Sequence, residues 1–217
     1  MIPPQARRQF ILDNTRRQRP PHVLEFELYL ADEITPIWRM TEEALEEIGL
    51  PPPFWAFAWA GGQALARHIL DHPEIVRGRR IIDLATGSGL VAIAAMLAGA
   101  KSVLAADIDA FAETAAGLNA AANSVAVSTT GRNLLMEPAP DSDVILVGDL
   151  FYEKTVAASA LAWLKAAKRP VLIGDPGRTY LPVAELEKVT QYEVQVTRDL
   201  EDAEIKTAAV WRLRSPR

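Results

Sequence analysis

The chain has 217 residues, of which 49% are hydrophobic, and its formal net charge is −5. A chain of this length and apolar content buries one substantial core, which predicts one α/β domain with an N-terminal extension and leaves little room for two full domains. The absence of cysteine excludes disulfides, thiolate metal sites and cysteine nucleophiles, and the acidic balance disfavours binding along a nucleic-acid backbone.

Residues 1–50 show no regular alternation of strands and helices and predict a small helical cap. Its helices are predicted at residues 5–14 and 41–48, with an extended acidic stretch around residues 25–33 between them. Three prolines at 51–53 then hold the chain extended. They are followed by a cluster of aromatic residues, which comprises Phe54, Trp55, Phe57 and Trp59. After Gly61 and Gly62, a helix is predicted at residues 63–71, ended by His72 and Pro73.

From residue 80 onward, strands alternate with helices, as in a parallel sheet with crossover helices. The first five strands are predicted at residues 81–84, 102–106, 125–128, 144–147 and 171–173. The helices are predicted at residues 90–98, 110–122, 155–167 and 183–188. Two last strands, at 192–197 and 205–213, are too close in sequence for a crossover helix and therefore predict an antiparallel pair. Residues 51–217 thus predict a Rossmann-like α/β domain with a seven-stranded, mostly parallel sheet and a C-terminal antiparallel hairpin.

Residues 83–89 have the pattern of a nucleotide-binding loop between a strand and a helix. Asp83 lies at the strand end, and Gly87 and Gly89 precede an apolar helix. Glycines allow a ligand to approach the backbone, and a helix N-terminus offers amide donors. Asp107 lies at the end of the next strand, where a carboxylate can accept both hydroxyls of a ribose. This combination predicts a ligand that contains adenosine.

Asp83 distinguishes between the candidate ligands. A carboxylate at this position would repel the pyrophosphate of a nicotinamide cofactor and attract the ammonium group of S-adenosylmethionine (SAM), which has no phosphate. The alternative for Asp83 is a purely local role as a hydrogen-bonded acid of the turn. A nicotinamide-dependent oxidoreductase therefore stays as a second hypothesis, because it would use the same loop and Asp107.

A second group of polar residues follows the strand predicted at 144–147. Asp149 ends this strand, and Tyr152 and Glu153 follow within four residues. Ligands of doubly wound sheets bind outside the carboxyl ends of the strands, so these side chains are predicted to lie beside the cofactor. The alternative is that Asp149 caps a helix and the aromatic residues belong to the core. The turn at 174–178 either forms part of the substrate-binding wall or contains Asp, Pro and Gly only because these residues favour turns.

Two further features allow more than one interpretation. His68 and His72 have a spacing that can bind metal on a helix, but no third ligand is evident, so we expect surface or capping roles and no metal site. Trp59 is equally consistent with packing and with lining a pocket. No segment has the about 18 consecutive apolar residues of a membrane-spanning helix, and we expect no membrane partner.

With these motifs assembled, the chain resembles the seven-strand SAM-dependent methyltransferases, and within them the lysine methyltransferases that modify the β subunit of electron transfer flavoprotein. The resemblance spans nearly the whole chain and is carried by residues 10–15, 54–65, 83–89, 107–109, 148–153 and 174–178. Ala85 departs from a common glycine of the superfamily, and Ala60 from a common proline of this branch. Ribosomal protein L11 methyltransferases share the fold and the loop and are the alternative within it.

The resemblance implies methyl transfer from SAM to a protein lysine, with S-adenosylhomocysteine as the product and without a metal. The implied catalytic residues are Asp149, which orients the amine, Tyr152, which walls the lysine channel, and Glu153, which aids recruitment or proton escape. The implied cofactor-binding residues are Trp59, Asp83, Gly87, Gly89, Asp107, Ile108 and Leu150. The expected partner is the flavoprotein β subunit, and no nucleic acid is expected. A bacterial cytoplasmic location is expected, or the mitochondrial matrix for a eukaryotic source. A non-catalytic binding module of the same fold is the remaining alternative.

Overall fold

The computed structural model describes residues 2–32, 36–40, 45, 47, 50, 52–196 and 204–214. Its helices are α1 (Pro4–Asn14), α2 (Pro36–Arg39), α3 (Ala60–Asp71), α4 (Leu90–Leu97), α5 (Ala110–Ala122) and α6 (Lys154–Ala167). Its strands are β1 (Arg16–Gln18), β2 (Leu28–Leu30), β3 (Arg80–Leu84), β4 (Ser102–Ala106), β5 (Ser128–Thr130), β6 (Val144–Gly148), β7 (Val171–Asp175), β8 (Leu186–Gln195) and β9 (Ile205–Leu213).

The main sheet has seven strands in the order β5-β4-β3-β6-β7-β9-β8. Strands β3 to β7 are parallel, whereas β9 runs antiparallel to both β7 and β8. This confirms the predicted Rossmann-like α/β fold with its C-terminal antiparallel hairpin. The chain progresses outward from β3 to β5 and then returns to β6 on the other side of β3. The space outside the carboxyl ends of β3 and β6 is therefore the switch point where such sheets bind ligands.

Helices cover both faces of this sheet, which is why its central strands contain consecutive buried apolar residues, such as Ile81 and Ile82 in β3 and residues 144–147 in β6. Helices α3 and α4 pack on one face through Leu65, Ile69 and the apolar surface of α4. Helix α6 covers the other face with Trp163 and Leu164. None of the helices among the described residues has the length and apolar character needed to cross a membrane.

The N-terminal region packs against α5, the helix that follows β4. Ile11 is fully buried in this contact, and the rings of Phe10 and Phe111 meet at 5.4 Å between centroids. The region also contains a two-stranded antiparallel sheet of β1 and β2, which the sequence did not predict. The side chains of Asn119 and Asn123 bind the backbone near β2, so polar contacts from α5 hold these strands in place. The helix predicted at 41–48 lies largely outside the described residues.

The element boundaries differ most from the sequence prediction at three places, each for an identifiable reason. The helix predicted at 183–188 is wrong: only Val183–Glu185 forms a short 3-10 helix, because Leu186 is buried and begins β8 opposite Leu213. Strand β5 begins at Ser128, since the amide of Val125 still closes the end of α5. Helix α3 begins at Ala60, ahead of the two glycines, because a distant carboxylate binds their amides.

Candidate active site

A cavity of about 370 Å³ lies at the carboxyl ends of β3, β4 and β6. This volume falls within the range of small-molecule sites in proteins. Seven predicted site residues line it: Trp59, Gly87, Asp107, Ile108, Asp149, Leu150 and Tyr152. Three others, Asp83, Gly89 and Glu153, are not part of its wall.

Asp107 directly follows β4, and its side chain contacts the glycine loop. Its carboxylate accepts hydrogen bonds from the amides of Gly87 and Asp109, both at 3.0 Å. Burial raises the pKa of Asp107. The neighbouring Asp109 also lines the cavity and caps α5 by accepting the amide hydrogen of Phe111. Burial first, and then the negative charge of Asp107, raise the pKa of Asp109 to about 6.

The glycine loop offers no phosphate cradle. The amide of Gly87 is bonded to Asp107, and that of Gly89 donates to the carbonyl of Thr86 at 2.9 Å. The carboxylates of Asp107 and Asp109 would repel a pyrophosphate at this loop. Neither glycine amide is available to bind one, because both already donate hydrogen bonds within the protein. A ligand with hydroxyl groups and no phosphate suits this wall better.

Asp83 is directed into the loop and away from the cavity. It is only 1% exposed, and one carboxylate oxygen accepts the hydroxyl of Thr86 at 2.5 Å and the amide of Ala92 at 3.1 Å. Burial raises the pKa of Asp83 to about 7. These two donors hold the carboxylate beneath the loop, which is the geometry of the local role that the sequence left as the alternative; the role of Asp83 in cofactor binding stays a prediction.

Gly89 acts through packing against α5. Its φ is +81°, and a Cβ built on it would lie 2.9 Å from the Cα of Ala116. Only glycine fits a left-handed position that close to a neighbouring backbone. Gly89 therefore sets the distance between the loop and α5 and does not face the cavity.

Asp149 joins three parts of the chain at the end of β6. One carboxylate oxygen accepts the amides of Gly61 at 2.5 Å and Gly62 at 3.2 Å, at the start of α3. The other oxygen accepts Nε and Nη2 of Arg178, each at 2.8 Å, from the turn after β7. Asp149 itself has a left-handed φ of +54°, which aspartate tolerates better than most residues.

The double glycine allows α3 to pack directly on the strands. A Cβ on Gly61 would lie 2.4 Å from the carbonyl oxygen of Gly174 in β7, and a Cβ on Gly148 would lie 3.1 Å from the Cα of Gly62. No side chain fits between these backbones. This close approach brings the first amides of α3 within reach of Asp149.

Aromatic rings form the wall beside Asp149. The Trp59 ring lies 5.5 Å from the guanidinium carbon of Arg178, and Trp59 donates its indole hydrogen to the carbonyl of Phe54. The rings of Phe54 and Tyr152 are 5.4 Å apart, and both residues are partly exposed at the cavity. Burial raises the pKa of Tyr152, which keeps the phenol neutral. Trp59 is therefore a residue of the cavity wall.

Glu153 caps helix α6. Its carboxylate accepts the amides of Thr155 at 2.8 Å and Val156 at 2.9 Å, and these bonds lower its pKa. The sequence assigned Glu153 to catalysis; in the structure it is not part of the cavity wall, and both of its oxygens bind the N-terminus of α6, so its catalytic role stays a prediction. The structure gives it a stabilising position next to the site.

The sequence prediction missed several residues of the cavity wall. Arg178 was seen only as part of a turn, because its pairing with Asp149 spans 29 positions along the chain. The segment after β5 lines the cavity with Arg132, Asn133, Leu134 and Leu135. The available signal was that the polar residues Arg132 and Asn133 follow a strand end. The strand was predicted at residues 125–128, however, and β5 ends only at Thr130, so this signal was missed.

The two helical histidines lie away from the cavity. His68 is 6% exposed and shares a hydrogen bond with the hydroxyl of Tyr192 at 3.1 Å, so the expected surface position is wrong for it. Burial lowers the pKa of His68. His72 occupies the C-cap of α3, in agreement with a capping role. Within the described part of the chain, no cluster of three or more acidic or histidine residues could hold a metal.

Comparison with known proteins gives three kinds of match: a family model, named relatives and solved structures. A family model described as ribosomal protein L11 methyltransferase (PrmA) matches residues 64–148. Two relatives named electron transfer flavoprotein beta subunit lysine methyltransferase match far more of the chain. The Danio rerio relative is 35% identical over 215 residues, which is 94% of this chain and 82% of the relative. The Xenopus laevis relative is 38% identical over 213 residues, covering 94% and 85%.

The chain belongs to the electron transfer flavoprotein β-subunit lysine methyltransferase family. Membership confirms the predicted enzyme type, a SAM-dependent protein-lysine methyltransferase, and leaves the oxidoreductase and the non-catalytic module without support. The L11 methyltransferase alternative is weaker, since its model matches only residues 64–148. Magnesium protoporphyrin IX methyltransferase from Synechocystis PCC 6803, solved with bound SAM, is 14% identical with a TM-score of 0.53 over 69% of this chain and 78% of that chain. This likeness shows the shared fold.

Proposed function

We propose that this protein transfers methyl groups from SAM to lysine side chains of the electron transfer flavoprotein β subunit. The observation that carries the proposal is the division of one cavity into two chemically different ends. Asp107 and the loop stand on one side of β3, and the Asp149 corner with its aromatic rings stands on the other. Full-length similarity to relatives named for this substrate supports the choice of partner.

The residues at the β4 end fit SAM. Asp107 is placed to accept the ribose hydroxyls, and the apolar side chains of Ile108, Leu134 and Leu135 offer a flat surface for an adenine ring. The bonded glycine amides and the acidic pair disfavour a phosphate-bearing ligand, and SAM has no phosphate. When bound, SAM supplies a methyl group on a positively charged sulfur.

The residues at the β6 end suit the acceptor lysine. The rings of Trp59, Phe54 and Tyr152 form an apolar passage for its aliphatic chain, and Asp149 orients the amine. Holding the amine at near-attack distance supplies much of the acceleration in such a displacement. The same rings attract a partly methylated lysine, which remains cationic, so the site allows more than one methyl group per lysine.

Transfer of labelled methyl groups tests the proposal. Purified electron transfer flavoprotein and ribosomal protein L11 are each incubated with the enzyme and methyl-labelled SAM, and labelled peptides are located by mass spectrometry. We expect label on lysines of the flavoprotein β subunit only. Label on L11 alone, or on no lysine, would refute the assignment.

A variant of Asp149 separates catalysis from cofactor binding. Asp149→Ala should abolish methyl incorporation while S-adenosylhomocysteine still raises the melting temperature, because the cofactor end of the cavity is intact. Turnover close to that of the wild type would show that Asp149 is not needed to orient the amine.

A further inference from the structure

The carboxylate of Asp149 creates an electrostatic problem for lysine methylation. The amine attacks only without its extra proton, and a lysine in water has a pKa near 10.4. A carboxylate within about 4–6 Å favours the ammonium form and raises that pKa further. An isolated Asp149 would therefore orient the lysine and at the same time hold it in the unreactive form.

Arg178 resolves this conflict by its position. Two nitrogens of its guanidinium bind one oxygen of Asp149, each at 2.8 Å, while the amides of Gly61 and Gly62 bind the other oxygen. The guanidinium is also held over the Trp59 ring at 5.5 Å, on the cavity wall. A guanidinium keeps its charge at every pH of interest, so the pair presents no net charge to an arriving amine.

We propose that Arg178 is a positioning residue that keeps the acceptor lysine neutral by pairing with Asp149. This inference rests on the proposed function. The ammonium releases its proton to solvent, the nitrogen lone pair forms the new N–C bond, and the electron pair of the breaking S–C bond stays on sulfur. Arg178 takes no part in bond making. It determines the fraction of the bound lysine that is in the neutral, reactive form.

Among the described residues, the other charged groups around the cavity do not replace this pair. Asp175 at the end of β7 is 1% exposed and is not part of the cavity wall; one of its oxygens accepts the backbone amides of Gly177 and Arg178, each at 2.7 Å, and its charge is the same in every variant compared below. Asp107 and Asp109 lie at the β4 end, on the far side of β3 from Asp149. Arg132 is paired with Glu137. Glu153 is bound to the N-terminus of α6, and the Tyr152 phenol is neutral. Asp149 and Arg178 are therefore the charged residues that line the lysine end of the cavity among the described residues.

The experiment compares pH profiles of kcat at saturating SAM and saturating protein substrate, because kcat reports the ionisation of groups in the enzyme–substrate complex, where the lysine lies beside Asp149. The proteins are the wild type, Arg178→Gln, Asp149→Asn and the double variant. Arg178→Gln leaves a lone carboxylate and should shift the profile upward by about 1–2 pH units, a loss of about tenfold per unit at fixed pH below the pKa. Asp149→Asn leaves a lone guanidinium and should shift the profile downward. The double variant should return it to within about half a unit of the wild type.

Two controls separate charge from structure. Arg178→Lys keeps the positive charge and should hold the wild-type profile even if the rate falls. Arg212→Gln removes a guanidinium that pairs with Glu187 on the exposed hairpin and should change nothing. If Asp149→Asn fails to fold or is inactive, the comparison of Arg178→Gln with Arg178→Lys still decides the question.

The outcomes are distinguishable. Superimposable profiles for the wild type and Arg178→Gln overturn the inference while leaving the proposed function intact. The inference is also overturned if Arg178→Gln weakens S-adenosylhomocysteine binding in calorimetry without moving the profile, since Arg178 would then serve the cofactor. Absence of lysine methylation by the wild type refutes the proposed function itself.

Discussion

Replacing Gly61 by alanine should damage both stability and activity, whereas the same change at Gly62 should not. A Cβ on Gly61 would lie 2.4 Å from the Gly174 carbonyl oxygen and 2.6 Å from a carboxylate oxygen of Asp149. Ordinary carbon–oxygen contacts are about 3.3–3.6 Å, so the backbone must move by roughly 1 Å. The nearest atom to a Cβ on Gly62 is a methyl carbon of Leu90 at 4.0 Å, which is an ordinary contact.

The expected magnitudes follow from these distances. Overpacking costs about 1–3 kcal/mol, and weakening a charge-assisted hydrogen bond to Asp149 adds to this, so Gly61→Ala should lose about 2–3 kcal/mol. In a chain of this size that corresponds to a melting temperature lower by about 4–12 °C. Gly62→Ala should be neutral or gain up to about 1 kcal/mol, since alanine favours the helix.

Thermal unfolding and methyl transfer test the pair. Gly61→Ala displaces the start of α3 and with it Trp59, and a shift near 1 Å costs about a hundredfold in rate. Gly62→Ala is the matched control. Equal melting temperatures and equal rates for the two variants would show that backbone contact between α3 and β7 does not shape the site.

Three further changes probe other parts of the site. Asp107→Ala should weaken S-adenosylhomocysteine binding by about 10–100-fold in calorimetry, through loss of charge-assisted bonds, and unchanged affinity would contradict the ribose role. Asp83 has its folded-state pKa raised to about 7, so the folded protein holds a proton that the unfolded chain releases, and stability is lost as pH rises through that value. The melting temperature of Asp83→Asn relative to wild type should therefore increase between pH 5 and pH 8, and a constant difference would disprove this. Glu153→Ala should lower the melting temperature through loss of a helix cap. A large fall in kcat at unchanged stability would instead restore its predicted catalytic role.

The fold was predictable because its determinants are local. Strand β4 and helix α5 were predicted with the boundaries that the structure shows, since apolar periodicity changes sharply at Asp107. The start of β8 was not predictable, because Leu186 becomes a strand residue by pairing with Leu213, which is far away in sequence. The sheet of β1 and β2 likewise depends on side chains of α5.

The candidate site was predictable in position but not in orientation. Residues at strand ends, such as Asp107 and Asp149, were correctly expected at the cavity because parallel strands bring their carboxyl ends together. The sequence could not show that Asp83 faces Thr86 and Ala92, because the direction of a side chain depends on donors supplied by the folded loop. The partnership of Asp149 with Arg178 requires two turns to meet in space.

The close packing of α3 on the strands also determines which positions of the site can be varied in protein engineering. Its backbone atoms approach too closely for any side chain to be introduced at Gly61 or Gly174, so this corner offers no position at which specificity can be altered. Phe54 and Tyr152 are 43% and 49% exposed at the cavity rim and tolerate changes in size. A library that aims at new lysine-containing targets should vary these two rings and leave the glycines fixed.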